Sequence, residues 1–258
     1  MKPPIAKLLT GFAIVAALLI VASVIFTLSQ PAPAPPPLPT PNGYDDFVKA
    51  GGMVADDSWH YGTMSEEKLR AFVQTNAEAL KLARAGLDRK CRVPLDYSPT
   101  GTVRMDRLSR IKALSEAMSA AGRLAELEHR PTDAAEAYLA VIRLGSATSQ
   151  GGILIDSLVG VAVEGVGSSC LEKLAPTLDA KQCLAAAAIL ESCESSREPP
   201  AAIWARERTW ARQALGLKGL YIRLVCFRSL KQSEQQATAK LQRQASRVRH
   251  LLIELAAR

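Results

Sequence analysis

The stretch from Leu8 to Leu28 constrains this chain more than any other. It contains 21 residues and no charged side chain. At a helical rise of about 1.5 Å per residue, it is long enough to cross a hydrocarbon core of about 30 Å. We therefore predict that this stretch contacts the lipid bilayer. The chain then divides into a membrane anchor (residues 1–29), a proline-rich linker (30–41) and a helical domain (42–258).

The charges beside the anchor predict its orientation. Lys2 and Lys7 precede the apolar run, and no charge follows it before Asp45. Short flanks rich in Lys and Arg stay on the cytoplasmic side. We expect a single-pass membrane protein with its N-terminus in the cytoplasm and its body outside. Two alternatives stay open: a buried core helix, and a signal peptide cleaved near Ala32-Pro33-Ala34.

The linker is dominated by proline. Residues 31–41 contain seven prolines, and such a run favours an extended polyproline II conformation of about 3.1 Å per residue. We interpret it as a stiff spacer between the anchor and the body. The alternative is a proline-rich ligand for a partner domain.

The composition of the body favours helices over sheets. Ala, Leu and Arg are abundant, whereas Ile, Thr, Tyr and Phe are sparse. Asn42 and Ser65 are predicted N-caps, the second of a helix whose apolar stripe reaches Leu87. Residues 106–196 predict consecutive antiparallel helices without a strand. The predicted fold is all-α: an N-terminal transmembrane helix, a proline-rich linker and an antiparallel helical-hairpin body, TPR-like or α-solenoid-like.

Two local patterns carry resemblances. Residues 115–145 resemble one tetratricopeptide repeat, with Gly122, Ala134 and Tyr138 at matching positions. The wider layout, with CRVPLDYS at 91–98 and GGILIDSLVGVAVEG at 151–165, resembles uncharacterised bacterial membrane-anchored helical proteins. The first resemblance implies a helical hairpin. The second implies no activity and transfers no site residues.

Candidate catalytic groups are scattered along the sequence. His60, His129 and His250 have no metal-ligand spacing, and no nucleotide-binding or nucleophile motif is present. We therefore predict no cofactor. Asp156 and Glu164 interrupt an apolar helix, where lone carboxylates are costly unless they are paired. We expect ion pairs with arginines such as Arg107, Arg110 or Arg143.

The basic character lies in the last quarter of the chain. Residues 197–258 contain 13 Lys or Arg and 4 Asp or Glu, whereas residues 1–196 contain 19 and 21. One interpretation is a solvated helix face. The other is attraction to anionic lipids, a cell-envelope polymer or an acidic partner, and we consider nucleic acid unlikely. The candidate anionic-surface residues are Arg223, Arg228, Arg243, Arg247 and Arg249.

Five cysteines are present without a C-x-x-C motif. Cys170 and Cys183 flank a predicted turn near residue 177 at similar distances. We consider a disulfide between them, with two small buried thiols at a helix crossing as the alternative.

Two hypotheses on function follow from these patterns. The first is a membrane-anchored helical interaction scaffold that binds a protein partner or an anionic envelope surface. The second is a membrane-anchored hydrolase or transferase whose site is assembled from distant residues. A deep pocket lined by the carboxylates and histidines named above would favour the enzyme. A groove without converging polar groups would favour the scaffold.

Overall fold

The computed structural model describes residues 4–29, 34–55, 62–95, 102–225 and 227–258. Within these ranges the chain forms ten α-helices and no strand, so the all-α prediction is confirmed. The helices are α1 (Pro4–Ser29), α2 (Gly43–Gly51), α3 (Glu66–Thr75), α4 (Ala77–Leu87), α5 (Thr102–Leu127), α6 (Pro131–Ser149), α7 (Leu154–Leu174), α8 (Ala180–Ser195), α9 (Pro200–Val225) and α10 (Phe227–Ala256).

The first half of the body packs around α5. Helix α2 contacts α4 and α5, and α3 contacts α5. Asn42 begins α2 as predicted, because its side chain accepts a hydrogen bond from the Tyr44 amide. The same side chain bonds both the N–H and the C=O of Arg92. The cap of α2 therefore also holds the loop that follows α4.

The predicted helix from Ser65 to Leu87 is wrong in one respect, since it is divided at Asn76. The buried Asn76 side chain donates to the Phe72 carbonyl and accepts from the Ala55 amide, at 2.9 Å in each case. These bonds tie the junction to a segment 21 residues earlier.

Helices α6 and α7 form the tightest crossing. A Cβ atom on Gly145 would lie 2.5 Å from the Gly160 carbonyl oxygen, and a Cβ on Gly160 would lie 2.5 Å from the Gly145 oxygen. Farther along, Gly167 lies against the backbone at Tyr138 and Ile142. Because residue numbers rise on one helix as they fall on the other, the two helices run antiparallel.

A second core joins α6 and α7 to α8 and α10. Its apolar side chains include Tyr138, Leu171, Leu190, Leu251 and Leu255. Buried positions on α10 recur at helical spacing between residues 241 and 255, and they face α7 and α8. Only the C-terminal half of α10 is built into this core.

The N-terminal half of α10 pairs with α9 instead. The Trp204 indole N–H donates to Thr238 Oγ1 at 3.0 Å, and Arg208 lies 3.9 Å from Glu234. Gly216, with φ 50° and ψ −131°, interrupts α9. Residues 217–225 are therefore a helical segment with an axis of their own.

Among the described residues, one helical stretch is long and apolar enough to span a membrane. It is Leu154–Thr177 and not the N-terminal stretch. This helix lies within the body and buries Asp156 and Glu164 against other helices. In α1 the apolar stretch with described side chains, Gly11–Phe26, is shorter. Its large apolar side chains are exposed, and α1 contacts α9.

Candidate binding groove

The carboxylate of Asp156 caps the N-terminus of α7. Its Oδ2 atom accepts the Ile153 amide at 2.8 Å and lies 3.0 Å from Arg104 Nη1. Its Oδ1 atom is buried and has no hydrogen-bond partner among the described residues. Burial raises the pKa of this carboxyl, although Arg104 opposes the change.

Glu164 lies on the same helix with a different partner. Arg197 Nη2 is 3.1 Å from its Oε2 atom and 3.3 Å from its Oε1 atom. Arg197 also bonds Glu194, which binds Arg249. Burial raises the pKa of the Glu164 carboxyl above its ordinary value, against the opposing effect of Arg197.

The expected ion pairing of the two carboxylates is therefore present, but with other arginines. Arg104 and Arg197 take the place of the three arginines suggested from the sequence. Of those, Arg110 pairs with Asp106 and Arg143 pairs with Asp88. Arg107 affects the pKa of the Asp156 carboxyl only as a nearby charge.

The histidines are not brought together. His129 ends α5 with φ 56°, and the following amide, Arg130 N–H, reaches back to the Ala125 carbonyl at 2.8 Å. This left-handed residue closes the helix. His250 is exposed on α10, and His60 lies outside the described residues. No group of three or more His, Cys, Asp or Glu within the described ranges is placed to hold a metal ion.

The predicted disulfide is wrong, because Cys170 and Cys183 are both free. The Cys183 thiol is buried and points to the Leu178 carbonyl, whereas Cys170 neighbours Tyr138 and Glu126. Cys183 is buried in the second core, whereas Cys170 is only partly buried against it. Of the two buried thiols expected in the alternative to a disulfide, only Cys183 is buried. Cys226 lies outside the described residues.

The five candidate surface arginines fall into three groups. Arg247 binds Glu172 and Arg249 binds Glu194, so these two join α10 to α7 and α8. Arg228 and Arg243 are exposed on α10. The side chain of Arg223 lies outside the described part of the structure.

A large groove lies between four parts of the chain. Its volume is about 1110 Å³, and it is bordered by the linker, the loop after α4, the C-terminal half of α6 and α8. Apolar side chains on its walls are Leu38, Leu87, Ala147, Ala188 and Ile189. Linker residues 37–39 form one edge. The end of the predicted spacer thus runs along the body.

The charge of the groove has one sign. Arg89, Lys90, Arg92 and Arg143 border it, and no Asp or Glu does. Arg89 binds Asp46, and Arg143 donates to the Leu87 carbonyl. Lys90 and Arg92 form no ion pair with any described residue. An apolar wall beside unpaired cations suits an anionic partner that also has apolar groups.

Two thiols in the groove are poorly suited to chemistry. Burial raises the pKa of Cys91 to about 12 and that of Cys193 to about 11. The thiolate is the reactive form of cysteine, so both groups stay protonated near neutral pH. Cys91 also donates to the Ala147 carbonyl at 3.3 Å. The two thiols are therefore part of the wall of the groove and not reactive groups.

Sequence reasoning missed this groove. A signal existed in the run Arg89-Lys90-Cys91-Arg92, where three basic residues are placed in a short loop. Of five cavities in the described part of the chain, none is bordered by Asp156, Glu164, His129 or His250. No family model, no curated protein and no solved structure matches this chain.

Proposed function

We propose that this protein is a membrane-anchored interaction scaffold whose groove binds an acidic segment of a partner protein. The main evidence for this proposal is the open groove, which has an apolar wall, four basic side chains on its border and no acidic one. Such a surface favours binding over catalysis, since no acid or base converges on it.

The anchor in this proposal is α1, inserted through Leu8–Leu28. Its described apolar side chains, such as Phe12 and Leu19, are exposed and would be unfavourable in water. Helix α7 is less suited to a bilayer because its two carboxylates are paired with arginines of the body. Lys2 and Lys7 favour a cytoplasmic N-terminus and an extracytoplasmic body.

The helical hairpin of α5 and α6 is the TPR-like part of the proposed scaffold. Gly122 lies against the Tyr138 ring, where a Cβ atom would approach to 2.5 Å. This contact joins two of the three residues that carry the tetratricopeptide resemblance. It supports a TPR-like pairing of these two helices, on which the groove wall of α6 is built.

The partner segment is expected to be extended and acidic. An extended part of the chain itself, residues 37–39, already lies along the groove edge. Carboxylates of the partner would meet Lys90 and Arg92, and its apolar side chains would meet Ala188 and Ile189. A protein segment supplies both kinds of group in one chain.

Site-specific photo-crosslinking in the full chain tests this proposal. A photoreactive residue at Ala188, inside the groove, is expected to capture the partner. The matched control is Leu184 on the same helix, which is exposed but does not border the groove. Charge reversal by Lys90→Glu with Arg92→Glu should abolish capture at position 188.

A second control separates local from general charge effects. Lys81→Glu with Lys240→Glu changes two exposed lysines away from the groove, and capture should persist in this variant. Equal capture at positions 184 and 188, or capture that survives charge reversal at Lys90 and Arg92, would contradict the groove proposal.

A further inference from the structure

The tip of the α9–α10 hairpin, residues 215–231, combines exposed apolar groups with basic groups. Leu215, Leu217, Val225 and Leu230 are exposed. Between Glu207 and Glu234 the sequence has six Lys or Arg residues and no Asp or Glu. Exposed apolar side chains with only cations beside them are typical of segments that lie in a membrane interface.

The tip is not part of the packed body. Helix α10 is buried between residues 241 and 255, whereas residues 228–233 are exposed. Helix α9 is interrupted at Gly216, which has φ 50° and open space around it. Residues 217–225 are about 13 Å long at helical rise. Within this segment, a Cβ atom on Gly219 would lie 3.2 Å from the Ala211 carbonyl oxygen, so the segment turns back towards the first part of α9.

The adjacent elements indicate what covers this apolar surface. The apolar helix α1 contacts α9, the helix that leads into the tip. If α1 lies in a bilayer, the helix that leads into the tip contacts a membrane-spanning helix.

We propose that the hairpin tip is a second membrane contact, which inserts its leucines into the interface of an anionic bilayer. The inference rests on the proposed anchoring by α1. Lys218, Arg228 and Lys231 face lipid headgroups, and Leu217 and Leu230 enter the acyl boundary. Anchor and tip together fix the orientation of the body at the membrane, which a single helix on a linker does not do.

The test uses the full chain reconstituted in vesicles of phosphatidylglycerol and phosphatidylcholine. A photoreactive residue replaces Leu217, and lipid adducts are measured by mass spectrometry after illumination. The control position is Ile253 on α10, because its exposure of 66% matches the 65% of Leu217. A third position, Leu19 in α1, reports on the anchor. We expect adducts at positions 19 and 217 and none at 253.

The charges of the tip are tested at position 217. Each Lys or Arg strengthens attraction to an anionic surface by about fivefold. Arg228→Gln with Lys231→Gln should therefore lower the adduct yield at 217 severalfold. Lys240→Gln with Arg243→Gln, on the same helix outside the tip, should leave it unchanged. Vesicles of pure phosphatidylcholine should also give a low yield at 217.

The outcomes distinguish the two proposals. Adducts at 19 without adducts at 217 would overturn the tip contact and leave the anchor intact. The absence of adducts at both positions would overturn both proposals. Equal yields at 217 and 253, or a yield at 217 that does not depend on anionic lipid, would overturn the tip contact as described.

Discussion

Two buried carboxylates dominate the energetics of α7 at the scale of residues. Each is 1% exposed, and each is held by a single arginine, Arg104 from α5 and Arg197 from the segment after α8. A buried charge without its partner is strongly unfavourable, whereas the pair itself contributes little beyond an apolar replacement. We infer that Arg104 and Arg197 are needed chiefly because Asp156 and Glu164 are present.

Replacing Arg197 by Met tests this inference. The variant leaves Glu164 buried without a cation, so we expect the free energy of unfolding to fall by about 3–5 kcal/mol. Adding Glu164→Gln should recover part of the loss, because the uncompensated charge is then gone. Chemical denaturation of the full chain in detergent measures both effects.

The control for this experiment is Arg110→Met. Arg110 pairs with Asp106 one turn away on an exposed face. Such pairs stabilise by less than about 1 kcal/mol, so this variant should be close to the original protein. An equal loss in the Arg110 and Arg197 variants, or no recovery by Glu164→Gln, would contradict the importance of the buried charge.

The pH dependence of stability provides a second prediction for Glu164. Burial places the pKa of this carboxyl in the folded protein above its unfolded value. Its contribution to stability is therefore complete below the unfolded pKa and decreases as pH rises through the folded pKa. We expect the melting temperature of the original protein to fall relative to that of Glu164→Gln as pH rises above ~4.5, which is near the unfolded pKa.

Melting curves of both proteins at several pH values decide the sign. The difference isolates Glu164, because the raised pKa values of Asp156 and Glu207 are common to both proteins. A relative gain for the original protein as pH rises would mean that Arg197 outweighs burial.

At the scale of elements, the α6–α7 crossing determines how the body is assembled. The backbones approach so closely at Gly145 and Gly160 that neither position has room for a methyl group. Gly165 on the same helix differs, since its nearest neighbour is a side-chain oxygen of Gln244 at 3.6 Å. Of the three glycines Gly160, Gly165 and Gly167 on α7, only Gly165 has no close neighbour.

This difference gives a prediction with a matched pair of variants. Gly160→Ala forces the two helices apart and should destabilise the fold by about 1–3 kcal/mol. Gly165→Ala places a methyl group in ordinary contact distance and should stabilise the helix by up to about 1 kcal/mol. Thermal unfolding of the two single variants measures the contrast. Equal effects would contradict the close crossing.

Local signals in the sequence coincide with several element boundaries. Asn42 begins α2, Pro131 is the first residue of α6, and Asp179 caps α8 by accepting the Gln182 amide. These signals act within one helical turn, where sequence and structure are directly related.

Features that depend on distant contacts were not predictable in the same way. The break at Asn76 depends on Ala55, and the partners of Asp156 and Glu164 depend on how α5 and the segment after α8 are rotated. The groove is built from four separate segments. Helical periodicity specifies which face of a helix is apolar, but it does not specify which helix that face meets.

At the scale of the whole molecule, folding divides the excess basic residues of the C-terminal quarter into two sets. Several arginines of the C-terminal quarter are used within the body, where they bind Glu164, Glu172, Glu194 and Glu198. The second set includes the basic residues of the hairpin tip. The tip begins in α9, which is the helix that contacts α1. The proposed architecture therefore has an apolar anchor, a basic membrane contact and a separate basic groove for a protein partner.

The central claim is that α1 holds this body at a membrane, on its extracytoplasmic side. The most direct measurement fuses two reporters to Arg258 in separate full-length chains, one active only in the cytoplasm and one active only outside it. Activity is then measured in washed membranes. The account predicts activity of the extracytoplasmic reporter alone, retained in the membrane fraction. Activity of the cytoplasmic reporter alone would contradict it.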